Sequence, residues 1–168
     1  MGDWFRLLMQ FLHVFAAVLW IGGGFYTLIV QVPALMAAPP AARGPVLGQI
    51  APRQINYILR VAEITLVTGI LNLFATGRIQ QFLSPFSQSW TVILGAGILL
   101  AFGLYGLVRA TVVPATYRLL SLGPKAAGGD AAAAAEMAAI IERLKRMGRI
   151  QLVLGSLIIL AMITARLS

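Results

Sequence analysis

The chain has 168 residues, with no Cys and a single His; it is 60% hydrophobic and 11% charged and carries a formal net charge of +8. A soluble domain averages about 45–50% apolar residues, and a compact fold of this size could not bury the excess, so the composition describes an integral membrane protein. Disulfides, thiolate metal sites, iron–sulfur clusters, thiol nucleophiles and a multi-histidine metal cage within one chain are excluded together; because the cations flank apolar runs, they read as orientation charges, and no nucleic-acid partner is expected.

Apolar runs long enough to cross a hydrocarbon core, which takes about 20 residues, occur at Trp4–Pro33, Gln54–Thr76, Trp90–Val113 and Arg149–Leu167. They predict a transmembrane four-helix bundle, a single all-α domain. The first run has neither a basic leader nor a small-residue cleavage site after it, so it reads as a retained helix, and Arg6 stands where a myristoylation signal needs Ser or Thr. Between the first two runs, residues 37–45 (AAPPAARGP) read as a Pro-rich loop that cannot continue a helix. Between the last two, Gly123-Pro124 and Gly128-Gly129 should break the chain before Asp130, a candidate N-cap. From Ala131 the apolar positions Met137, Ile140, Ile141 and Leu144 keep helical spacing, with Glu142, Arg143, Lys145 and Arg146 opposite. One helix is therefore expected over residues 131–167, its first half (131–148) a cytoplasmic extension that serves as a basic collar or as a surface for a partner or anionic lipid.

Sorting the cations by side predicts the orientation. Both termini and the second connection hold Arg6, Arg78 and Arg166, whereas the first and third connections and their helix ends hold Arg43, Arg53, Arg60, Arg109, Arg118, Lys125, Arg143, Lys145, Arg146 and Arg149. The richer side belongs in the cytoplasm, which places both termini outside. A weak internal repeat accompanies this pattern. Gly24-Phe25-Tyr26 before Val32-Pro33-Ala34 returns as Gly103-Leu104-Tyr105 before Val113-Pro114-Ala115, and Leu66-Val67-Thr68-Gly69 is echoed by Leu152-Val153-Leu154-Gly155. Two hairpins of like orientation follow, related by an axis along the membrane normal. His13 breaks the repeat, since its counterpart is Val92.

Ionisable groups deep in a span are costly unless paired or lining a cavity, so each one is a candidate functional group. His13 lies about 13–14 Å from Trp4 at 1.5 Å per residue, and Glu63 lies about as deep from the other side. The face of His13 carries Met9, Ala16, Ala17, Trp20 and Gly24. Small residues there leave room for a neighbouring helix or for a flat cofactor, and His is the usual axial ligand of haem. Glu63, one turn from Arg60, is expected to be buried against Arg60, Arg109 or Arg149, either as a structural ion pair or as a proton-transfer carboxylate.

The segment from Leu12 to Gly24 (LHVFAAVLWIGGG) resembles the first helix of the bacterial CopD-like membrane proteins, a group that includes the HemJ-type protoporphyrinogen oxidases. Arg53-Gln54-Ile55-Asn56-Tyr57, Thr65-Leu66-Val67-Thr68-Gly69, Trp90, Tyr105 and Arg146-Met147-Gly148-Arg149 add weaker similarity in the other spans. The resemblance implies a bundle in the bacterial inner membrane that binds b-type haem through His13. Where HemJ-type enzymes carry a Lys and a second His, this chain has Leu94 and Gly106, so the resemblance implies haem binding and leaves the oxidase activity open.

The expectation is thus a membrane haem protein of electron transfer or redox chemistry, alone, as a homo-oligomer or as an accessory subunit of a larger membrane complex. Met162, at the depth of His13, is the candidate sixth ligand, and Thr68 and Gly69 on the second span would admit the porphyrin. The alternatives are a non-haem ion-coupled transporter using Glu63 and the arginines, copper-resistance-like chemistry included, and a structural subunit.

Overall fold

The computed structural model describes residues 2–84 and 88–167, and these are helical with short connections. Helix α1 spans Asp3–Ala37, α2 Pro40–Ala75, the short α3 Ile79–Phe82, α4 Ser89–Ala127 and α5 Ala131–Leu167. The four long helices are each apolar enough to cross a membrane, and they make the chain an all-α, multi-pass membrane protein. Their outward faces agree with a lipid surround: Val18 is 63% exposed, Val67 56%, Leu99 74% and Leu160 59%, positions that water would penalise and acyl chains would not. At 1.5 Å per residue, the 37 residues of α5 reach about 55 Å, well beyond a hydrocarbon core of about 30 Å, so its basic first half lies outside the membrane.

Helices α1 and α2 pack as one hairpin and α4 and α5 as a second. The hairpins meet in a core of Trp20, Ile21, Val61, Ala62, Ala101, Leu104 and Ile158. Small residues bring the helices close, as lipid-embedded packing requires. A Cβ on Gly155 would lie 3.2 Å from Ile21, and one on Gly97 3.1 Å from the Met162 methyl group.

The internal repeat has a structural counterpart. A five-residue π-turn interrupts α1 at Thr27–Gln31 and α4 at Val108–Val112, in each case directly before Val-Pro-Ala. A proline ring collides with the carbonyl four residues back and removes one helical bond; the wider turn accommodates both effects without ending the helix.

One break expected from the sequence is shorter than expected, and another is absent. The loop expected over residues 37–45 shrinks to Ala38-Pro39, because Pro40 occupies the first turn of α2, where its missing N–H costs nothing, and α2 runs on through Pro45 and Pro52. Arg43 Nε donates to the Ala38 carbonyl at 2.9 Å and so satisfies the end of α1. Arg53 Nη1 donates to the Gln49 carbonyl at 2.7 Å, beside the Gly48 carbonyl that Pro52 leaves without its helical donor. Gly123-Pro124 likewise lies inside α4, and the chain turns only at Gly128-Gly129, where Gly129 has φ +92°. Asp130 then caps α5, its Oδ1 accepting the Ala133 N–H at 3.0 Å.

At the end of the bundle that holds the termini, Arg6 Nε donates to the last carbonyl of α2, Ala75, at 3.0 Å. Arg78 stacks over Trp90 with its guanidinium carbon 5.4 Å from the ring centroid, and the Trp90 indole donates to Gln88. These groups mark one interface. The opposite, basic end carries a bidentate ion pair of Arg118 on α4 with Glu136 on α5, at 2.7 and 2.8 Å.

Candidate functional site

The α1–α2 seam holds the polar groups that the bundle encloses. His13 Nδ1 lies 3.0 Å from the Thr65 carbonyl oxygen. A carbonyl only accepts, so the ring is protonated on Nδ1 in this contact, and the lone pair falls on Nε2. Helix α2 makes the carbonyl reachable through Gly69, four residues on, where a side chain would stand over it. A Cβ at Gly69 would meet His13 Cε1 at 2.8 Å and Nδ1 at 3.1 Å. Thr65 and Thr68 turn their hydroxyls back onto their own helix, to the Val61 and Ile64 carbonyls at 2.7 and 2.6 Å, and the Thr68 hydroxyl also lies 3.3 Å from the Thr65 carbonyl, which it shares with the imidazole.

One turn toward the termini, Asn72 Nδ2 donates to Gln10 Oε1 at 2.8 Å. Asn72 Oδ1 is buried and has no hydrogen-bond partner among the described residues. At the basic end of the same seam, Gln31 and Gln54 exchange amide hydrogen bonds of 3.0 and 2.9 Å, and Gln54 also donates to Thr27 Oγ1. Gln10, Asn72 and this amide cluster escaped the sequence reading. The available signal was their spacing, since Gln10 lies one turn before His13 and Asn72 one turn after Gly69.

The remaining candidates divide between the seam and the outside. Ala16 and Trp20 are each 4% exposed and face protein, not an open slot. Thr68 is buried, and Gly69 is covered by the imidazole itself, so neither leaves space for a porphyrin between α1 and α2. Gly24 is half-buried, with nothing near the place of a side chain. Met162 packs on Gly97 in the second hairpin and against the core where the hairpins meet. The imidazole thus offers one ring nitrogen free of the Thr65 bond, whereas the seam beside it is closely packed.

The expected intramembrane ion pair is also corrected. Glu63 is exposed on the outer face of α2, and its Oε1 accepts the Tyr105 hydroxyl from α4 at 2.7 Å. It forms no ion pair with Arg60, Arg109 or Arg149. Arg60 and Arg109 face outward, and Arg149 lies in the field of Glu142. Outside the membrane, Arg118 beside Glu136 holds that carboxyl below the usual glutamate range. No group of three or more His, Asp or Glu is placed to hold a metal ion among the described residues.

Comparison with known protein families, curated proteins and solved structures finds no match for this chain.

Proposed function

We propose that the chain is a bacterial inner-membrane b-type haem protein of electron transfer or redox chemistry, with His13 Nε2 as its axial ligand. The supporting observation is the bond from His13 Nδ1 to the Thr65 carbonyl. Histidines that bind metals commonly donate their second nitrogen to a backbone carbonyl or carboxylate, which fixes tautomer and ring orientation and raises the basicity of the ligating nitrogen. The resemblance of the Leu12–Gly24 segment to CopD-like proteins points the same way. Bound haem would supply one-electron chemistry. This chain would contribute the oriented imidazole and an apolar, water-poor wall of helix surface.

Because Ala16, Trp20 and Gly69 are closely packed, a haem held by His13 would need a surface shared with a second copy or with another subunit of a larger membrane complex. The ten-to-three division of cations supports placing the basic end in the cytoplasm and both termini outside.

A second reading, a structural or ion-coupled membrane subunit without cofactor, is favoured by the fit of the imidazole against Gly69, which makes His13 an interhelical clasp. An absorption spectrum separates the two. Protein expressed with ample haem and purified in detergent should show a Soret band that His13→Ala removes while the four helices remain; a colourless protein would leave the clasp as the role of His13.

A further inference from the structure

The hairpin repeat places a cleft beside each π-turn, at the basic end of the bundle. The first, about 460 Å³, lies between α1 and α2 and is lined by Tyr26, Gln31, Ile50, Arg53, Tyr57 and Ile58 among others. The second, about 310 Å³, lies between α4 and α5, with Thr111, Pro114, Arg118 and Arg143 in its wall. Both are of a size that holds a small ligand or a segment of a larger one. Their acids differ. The second holds Arg118, Arg143 and the Glu136 carboxylate that pairs with Arg118, whereas the first contains Arg53 and no acid.

We propose that the first cleft binds an anionic phospholipid, with the headgroup phosphate on Arg53 and an acyl chain along the Tyr57 and Ile58 wall. Depth is one argument. Arg53 stands about 33 Å along α2 from Ala75 at 1.5 Å per residue, so when the terminal end lies at one interface, the guanidinium reaches the headgroup level of the other, across a core of about 30 Å. Tyr26 and Tyr57 are 59% and 45% exposed at that level, where amphipathic rings form the interfacial belt.

The donors are a second argument. Arg53 uses Nη1 on the carbonyl and side chain of Gln49, and its Nε and Nη2 have no hydrogen-bond partner among the described residues. Gln31 and Gln54 satisfy each other's amides, so they form a neutral wall and do not compete for the anion. A cation at headgroup depth above apolar walls selects an amphiphile with an anionic head over a free anion, which has nothing to place against Ile58, and over a zwitterionic lipid, whose own ammonium group offsets the phosphate.

Native mass spectrometry of the full chain in detergent tests this, with phosphatidylglycerol and phosphatidylcholine of identical acyl chains as probes. The wild type should retain phosphatidylglycerol over phosphatidylcholine, and Arg53→Ala should lower phosphatidylglycerol retention about fivefold, the contribution of one interfacial Arg. Arg166→Ala, at the other end, should leave it unchanged. Ile50→Trp fills the cleft without altering charge and should also lower retention, which keeps the test open if Arg53→Ala does not fold. Equal retention of the two lipids, an equal loss from Arg166→Ala, or displacement of phosphatidylglycerol by inorganic phosphate would each overturn the proposal.

Discussion

The imidazole of His13 occupies the space that a side chain at Gly69 would fill: a Cβ there would stand 2.8 Å from His13 Cε1. A ring edge cannot bend aside as the tip of a flexible chain can. Gly69→Ala should therefore displace His13, break its bond to the Thr65 carbonyl and destabilise the hairpin by about 1–3 kcal/mol, the usual cost of overpacking. Thermal unfolding in detergent measures this. Gly24→Ala, whose new methyl group meets nothing within 4 Å, is the matched control and should change the midpoint little.

Glu63 Oε1 accepts the Tyr105 hydroxyl across α2 and α4, a contact that needs an acceptor at this position. Glu63→Gln keeps an acceptor and should retain stability, whereas Glu63→Leu and Tyr105→Phe should each weaken the junction of the hairpins. A double-mutant cycle should give a coupling of about 0.6 kcal/mol, the average for interhelical bonds in membranes. A cost for Glu63→Gln of several kcal/mol would instead reveal an ionic partner outside this chain.

The pair Arg118–Glu136 ties the extramembrane half of α5 to α4. The Glu136 carboxyl is depressed in the folded protein, so its contribution is present above the ordinary glutamate pKa and is lost as pH falls through the folded value. Amide exchange over residues 131–148 should accelerate in that acidic window and at neutral pH in Glu136→Gln. High salt should blunt the difference, because both partners are exposed.

Asp130→Ala removes the acceptor of the Ala133 N–H and should cost about 1 kcal/mol, read as faster exchange confined to the first turn of α5. Asp130→Asn should restore most of the protection.

The four spans were legible because hydropathy and length alone decide which segments cross lipid. Asp130 and the single helix after it were legible through capping chemistry. His13 was placed at the right depth opposite Gly69, but depth says nothing about rotation about a helix axis. Met162 lies near the depth of His13 and faces Gly97; Glu63 lies about 9 Å along α2 from Gly69 and faces away from the seam. Successive residues turn about 100° around an α-helix, so a level can be counted along the sequence while a neighbour requires the packing itself. The loop expected at Pro45 failed for a different reason. Proline costs a helix one bond, and within a long membrane helix that cost does not exceed what the rest of the helix secures.

The paired π-turns imply an uneven tolerance of the chain to changes in length. A π-turn contains one residue more than the α-helical path across the same distance, and deleting one residue within Thr27–Gln31 or Val108–Val112 would return the segment to ordinary winding while leaving both flanks in phase with their neighbours. The same deletion five residues earlier would swing one half of the helix by about 100° and turn its lipid-facing side chains inward. The first helix of each hairpin thus has a position at which it can shorten without unmaking its interface, and that position recurs in both halves of the chain.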